Sequence, residues 1–223
     1  MQNEIAVAVR DLRMTYPGAR PVHALKGVSL DVRQGEMLLV MGPSGSGKST
    51  LLSIIGGLLT PTAGSVIASG TEITHLPRKE SARFRLQNFG YVFQSFNLFS
   101  SMTGAENVEL AFDIRGVRGR KARSAARELL SQFGLNEQAD RAARDLSGGE
   151  QQRVAIARAL AGNPSAVLAD EPTSQLDADN GAIVANILSE LAHKRGTTVI
   201  IAAHDDRIRS VADRAVQLDD GRL

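Results

Sequence analysis

The chain has 223 residues, 43% hydrophobic and 22% charged, enough for one sizeable α/β domain and too few for two large ones. Its formal net charge of +2 gives little support to nucleic-acid binding, which gathers basic residues on one face. With no cysteine, disulfides and thiol chemistry are excluded.

In chain order, the start Met1 to Arg10 carries no basic leader followed by a long apolar run, so no signal peptide is expected. Short alternating stretches in the first 80 residues, such as Glu4 to Val9 and Gly27 to Val32, predict a small antiparallel β region. Met37 to Met41 is a continuous apolar run that stops at Gly42. The helix-like stretch Leu51 to Leu59 is broken by Ser53, Gly56 and Gly57, and falls far short of the ~20 residues a membrane span needs. Helical spacing returns at Ala122, with Ala125, Ala126, Leu129, Leu130 and Phe133 on one stripe and Gly134 as the stop. Val154 to Leu160 predicts a second helix ending near Gly162 and Pro164. A third carries Ile183, Ile187, Leu188 and Leu191 and ends at Gly196.

Two further continuous apolar runs, Ala166 to Ala169 and Thr198 to Ala203, end at Asp170 and His204. Continuous rather than alternating runs suit strands covered on both faces of a largely parallel sheet. In such sheets ligands sit beyond the carboxyl ends of the strands. Arg115, Arg118, Arg120, Lys121, Arg123 and Arg127 form a basic run: either a solvated helix face or a contact for lipid headgroups or an acidic partner.

Gly42-Pro43-Ser44-Gly45-Ser46-Gly47-Lys48-Ser49-Thr50 completes the G-x-x-x-x-G-K-[ST] pattern between a strand and a helix. Its glycines let backbone N–H groups turn inward around an anion, and the following helix offers its free N–H groups to a β-phosphate. Lys48 is expected to reach the β- and γ-phosphates and the Ser49 hydroxyl to ligate Mg2+. Asp170 and Glu171 close the strand Ala166 to Ala169. Asp170 suits Mg2+, and Glu171 suits the water that attacks a γ-phosphate.

Leu146-Ser147-Gly148-Gly149-Glu150-Gln151 resembles the LSGGQ signature of ABC ATPases. Ser147 and Glu150 also form an [ST]-x-x-[EQ] capping box, and Gly148 and Gly149 bare the N–H groups of the first turn as a second anion site. The resemblance runs along essentially the whole chain. It implies an α/β P-loop NTPase (RecA-like) core, an N-terminal antiparallel β subdomain and an inserted helical subdomain. The expected single domain, 1–223, divides into a β region with phosphate loop (1–95), a helical subdomain (96–150) and the rest of the core (151–223). By resemblance Tyr16 stacks on adenine, Gln94 is the Q-loop glutamine that contacts Mg2+ or water, Ser174 to Asp177 is the D-loop and His204 senses the γ-phosphate. The bland alternatives are a surface aromatic, a loop amide and a strand-end histidine. Gln175 and Ala203 depart from the family pattern, where alanine and then serine or threonine are usual. The family resolves two phosphate-binding helix starts by head-to-tail dimerisation. Ser147, Gly148, Gly149 and Asp177 of one copy then close over ATP held by the other.

Gly56 to Gly64, Phe93 to Leu98, Glu106 to Val108, His204 to Arg207 and Val211 to Arg214 are similar to the lipoprotein-releasing, macrolide-exporting and glycolipid-exporting ATPases. That resemblance implies an export engine bound peripherally at the cytoplasmic face of a bacterial inner membrane. Permease subunits would contact the Phe93 to Met102 region. Phe96, Leu98 and Phe99 are there either exposed for the partner or part of the helical core. A non-transport envelope or cell-division complex is the alternative. A soluble ABC ATPase acting on DNA or ribosomes is disfavoured, because coiled-coil insertion, zinc ligands and a basic stripe are lacking, and no nucleic-acid partner is expected.

Overall fold

The computed structural model describes residues 4–223; Met1 to Asn3, where the start read for a leader and the 1–95 region begin, lie outside the described residues. The first half of the chain contributes β1 (Ile5–Tyr16), β2 (Val22–Arg33), β3 (Met37–Met41), α1 (Lys48–Ile55), β4 (Ala63–Ala68), β5 (Thr71–Glu72), α2 (Arg78–Asn88) and β6 (Phe89–Val92). It continues with α3 (Gly104–Ile114), α4 (Arg120–Gln132), α5 (Gly148–Leu160), β7 (Ala166–Asp170), α6 (Ala178–Arg195), β8 (Thr198–Ala202), α7 (Asp206–Arg209) and β9 (Arg214–Gln217).

The three continuous apolar runs become β3, β7 and β8 at the middle of a five-stranded parallel sheet ordered β6-β7-β8-β3-β9. Successive residues point to opposite faces, and both faces are covered. Leu38, Val40, Leu168, Ile200 and Ala202 pack with α1 and the antiparallel sheet β2-β1-β4-β5. Met37, Leu39, Val167, Ala169, Val199 and Ile201 pack with Ile156 and Leu160 of α5 and Val184, Leu188 and Leu191 of α6. Helix α1 therefore lies between two sheets, buried through Leu51, Leu52, Ile54 and Ile55.

A third core joins Val108 and Ala111 of α3, Ala126 and Leu130 of α4, and Val154, Ala157 and Ala161 at α5. Helix α5 thus has two apolar faces, one on the parallel sheet and one on α3 and α4. The boundary drawn at 150/151 falls inside it. Its start is the capping box expected: Ser147 Oγ accepts from Glu150 N at 3.3 Å, and Glu150 Oε2 accepts from Ser147 N at 2.7 Å.

Three expectations need correction. The helix sought over Leu51 to Leu59 covers Lys48–Ile55, because Gly57 turns at φ +65° and the N–H groups of Leu58 and Leu59 both return to Ser53 O. The buried stripe of α6 is Val184, Ala185, Leu188, Leu191 and Ala192, with Ile183 facing solvent. Helix α2 lay within or just past the stretch read only as β: it buries no residue completely, so no apolar stripe marks it. It is held by Phe84, which meets Phe89 edge to face, and by Arg85 Nη1, which donates to Gly57 O at 2.8 Å.

Leu130, fully buried in the third core, tests this packing. Leu130→Ala is expected to cost about 3 kcal/mol and to lower the thermal midpoint by about 10 °C. A change under about 1 kcal/mol in chemical denaturation would contradict the packing described.

Candidate active site

The cradle begins where β3 ends. Gly45 and Gly47 have φ of +81° and +105°, and a Cβ at Gly47 would lie 2.5 Å from Ala24 O, so only glycine lets the loop close against β2. Helix α1 starts from Gly47 with no capping side chain and no acid in its first turn. Its leading N–H groups and dipole are therefore left for an anion. Lys48, almost buried, donates from Nζ to Gly42 O at 2.7 Å and Pro43 O at 3.0 Å. Ser46 Oγ is buried with no partner among the described residues.

The ends of β7 and β8 complete the site. Ser49 Oγ donates to Asp170 Oδ1 at 3.0 Å. Burial pushes the Asp170 carboxyl above its ordinary value; the Ser49 bond opposes this, Glu171 adds to it and Lys48 opposes it. Glu171 adopts a left-handed φ of +47°, unusual for a residue with a Cβ, and its N–H donates to Ala202 O at 2.7 Å. Its side chain, 15% exposed, has Oε1 at 3.1 Å from His204 Nδ1 and 4.0 Å from Lys48 Nζ. Tyr16, 37% exposed, has its hydroxyl 3.3 Å from Thr50 Oγ1.

These groups surround one cavity of about 600 Å³. Tyr16, Gly42, Pro43, Ser44, Gly45, Gly47, Lys48, Ser49, Thr50, Gln94, Glu171 and His204 line it, together with Val22 and Ala24, which the sequence reading did not single out. Ser46 and Asp170 sit just behind, Asp170 reaching in through Ser49. A second cavity of about 680 Å³ lies at the amino ends of β3 and β9, where Arg214 pairs with Glu36 at 2.7 Å and His193 with Asp213 at 3.0 Å.

Ser147, Gly148, Gly149 and Asp177 do not line the cavity. The capping box occupies Glu150 N and Ser147 N, which leaves the Gly148 and Gly149 N–H groups without an acceptor among the described residues. Gly149 has a packing role as well, since a Cβ there would lie 2.1 Å from Asn180 Oδ1. Asp177 caps α6, its Oδ1 accepting from Asn180 N at 2.8 Å. That bond, first among several, holds its carboxyl below the ordinary value.

After Gln94, Phe96 and Asn97 take left-handed φ of +58° and +51° and are held by Arg158, which donates to both carbonyls. Phe99 is 56% exposed, Phe96 is half-buried beside Gly148, and Leu98 packs on the helical core. A groove of about 240 Å³ opens beside this turn, lined by Phe89, Tyr91, Phe93, Asn97, Ala111, Arg115 and Arg158.

A family profile described as ABC transporter matches residues 25–174. The lipoprotein-releasing system ATP-binding protein LolD of Pseudoalteromonas translucida is 40% identical over 99% of the chain and 96% of its own length. The methionine import ATP-binding protein MetN of Carboxydothermus hydrogenoformans is 42% identical over 97% of the chain, which spans 64% of that protein. A dimeric structure of the ATP-binding cassette MJ0796, in a post-hydrolysis state bound to ADP and Pi, superposes with TM-score 0.91. It is 40% identical, covering 97% of this chain and 96% of that one.

Asp205, next to His204, accepts from Arg207 and from the Thr173 hydroxyl. Burial works to raise its pKa, but these bonds outweigh it and hold the carboxyl at about 2. The unfolded chain protonates this group near pH 4, so its stabilising contribution is complete above that pH and is lost as pH falls toward 2. Urea midpoints should therefore separate the chain from Asp205→Asn most above pH ~4, the gap narrowing on acidification; a gap independent of pH would contradict the assignment.

Proposed function

The chain belongs to the ABC transporter family and is an ATP-hydrolysing subunit of it; on that premise we propose that two copies clamp two nucleotides head to tail and drive a membrane-embedded export complex. The observation that carries the proposal is the contrast between the two glycine-bearing helix starts. Helix α1 opens uncapped into the cavity, whereas the free Gly148 and Gly149 N–H groups at α5 lie outside it. One chain thus has two glycine-bearing helix starts, only one of which opens into its cavity, and a second copy placed head to tail would bring the other to it. The likeness to a dimeric cassette supports this arrangement.

Each site residue then has a task. Tyr16 at the cavity mouth stacks on the base, while the loop Gly42 to Thr50 wraps the phosphates with its backbone N–H groups. Lys48, held by two carbonyls beside Glu171, is placed to reach the β- and γ-phosphates. Ser49 and Asp170, with the Gln94 amide, would supply the hard oxygen atoms that suit Mg2+, which takes few protein ligands beside phosphates. Mg2+ bound there neutralises charge on the phosphate oxygens. Glu171 takes a proton from the attacking water. His204, donating from Nδ1, holds that carboxylate in place. The strained backbone of Glu171 aims its side chain inward while its N–H stays tied to β8.

Among the described residues no helix is long and apolar enough to cross a membrane. Attachment is assigned instead to a partner segment seated in the groove beside Phe93 to Met102, with Phe99 as the exposed anchor. Identity alone does not separate export from import, since LolD and a methionine importer ATPase are about equally similar. The export reading rests on the motif stretches around Gly56 to Gly64, Phe93 to Leu98 and His204 to Arg207.

Glu171→Gln is expected to lower steady-state ATP hydrolysis by at least ~100-fold while keeping ATP binding, and to accumulate as an ATP-dependent dimer in size-exclusion chromatography. Hydrolysis per subunit in the unaltered chain should rise with protein concentration. Full-speed turnover by a strict monomer, or by a chain with Ser147 and Gly148 replaced, would overturn the clamp.

Phe99→Asp should keep basal ATPase activity and lose stimulation by the membrane partner identified by co-purification. Unchanged stimulation in proteoliposomes would remove this surface from the coupling role.

A further inference from the structure

Arg207 has no place in the chemistry above, yet it makes more polar contacts than the surrounding surface requires. Its Nε lies 3.0 Å from both oxygens of Asp205, and Nη2 lies 2.7 Å from Oδ2. Its Nη1 turns the other way and donates to Asp177 O at 2.9 Å and Ala178 O at 3.3 Å. Room for that reach comes from Gly181, where a Cβ would lie 2.0 Å from Nη1. Asp205 is itself fixed from below by the hydroxyl of buried Thr173, two residues past Glu171. One planar fork therefore fastens the segment after His204 to the first turn of α6.

The far side of the same turn meets the other helix start. Asn180, bonded to Asp177, rests against Gly149 so closely that no Cβ fits between them. Gln175 O and Leu176 lie near the Cβ position of Gly148. A continuous line of contacts thus runs from Glu171 and His204, at the chain's own cavity, through Asp205, Arg207 and the Asp177 turn to Gly148 and Gly149.

We propose that Arg207 is a positioning residue coupling the two nucleotide sites of the dimer: it makes the placement of the Gly148–Gly149 helix start, which serves the neighbour's nucleotide, depend on the state of His204 at its own. The inference rests on the head-to-tail reading. When His204 and Glu171 shift with the state of the nucleotide, Asp205 and Arg207 carry the α6 turn with them. Asn180 passes that shift to the N–H groups aimed at the partner's phosphate. Neither site needs to touch the other.

Two variants of the full-length chain test this. Arg207→Lys keeps a cation opposite Asp205 but cannot bridge to the Asp177 carbonyl at the same time. Gly181→Ala leaves Arg207 present, favours helix by intrinsic propensity, and pushes the guanidinium off the turn. Each is assayed for binding of a fluorescent ATP analogue by the monomer, thermal midpoint, the ATP dependence of hydrolysis, and ATP-driven dimerisation in a Glu171→Gln background. The expected result is unchanged analogue binding and only a modest loss of thermal midpoint, with the Hill coefficient falling toward one and kcat falling about tenfold, the size of a typical coupling between sites. If Arg207→Lys fails to fold, Gly181→Ala decides. Parental cooperativity and kcat in either folded variant, a parent without cooperativity, or loss that merely follows weaker monomer binding would overturn the proposal. A parent that dimerises with ATP while both variants keep its cooperativity refutes the coupling alone. A parent that never dimerises refutes the head-to-tail reading beneath it.

Discussion

The site depends on the register of three parallel strands. Val40 of β3 and Asp170 of β7 both pair with Ala202 of β8, so the three chains leave the sheet at one level. Within two residues of that level come Gly42, where the phosphate loop starts, Glu171 and His204. Polar bonds pin this register at both ends: Gly35 N donates to Thr198 Oγ1 at 3.2 Å, and Glu171 N donates to Ala202 O at 2.7 Å. Between them the strands are apolar on both faces, so hydrophobic patterning alone would tolerate a slip of one residue. It is the polar ends that forbid it, because a slip would orphan a buried donor.

The electrostatics follow from that placement. Asp170 and Glu171 are adjacent acids at a partly buried strand end, where burial and the neighbouring Glu171 both disfavour the charge of Asp170. Ser49 and Lys48 from α1 offset this, while His204, just past the end of β8, lies 3.1 Å from Glu171. The two acids also separate in direction, since the left-handed turn at Glu171 sends its side chain to His204 while Asp170 faces Ser49. Adjacent residues thereby acquire different surroundings and are available for different chemistry.

Much of this was legible in the sequence where residue type and geometry have few alternatives. The runs Met37 to Met41, Ala166 to Ala169 and Thr198 to Ala203 correspond to strands within one residue, because continuous apolar character reports two covered faces. The loop Gly42 to Thr50 was legible because its glycines are required by backbone conformation. Other features leave no mark. Glu171 reaches a left-handed φ without being glycine, asparagine or aspartate. Helix α2 is held by Phe84 and Arg85 rather than by an apolar stripe. Gly149 reads in sequence as a bare N–H, yet its closest neighbour is Asn180, thirty-one residues on, a contact no local pattern encodes.

Helix α5 is a beam shared by two cores, and this limits how the helical layer can move. Helices α3 and α4 rest on its Val154, Ala157 and Ala161, while Ile156 and Leu160 lock the opposite side into the sheet. The face toward α3 and α4 is made largely of alanine and valine, a low-relief surface over which helices slide at little steric cost. The face toward the sheet carries isoleucine and leucine that interdigitate. Any shift of the helical layer would therefore cost least as shear across the alanine–valine face of this one helix.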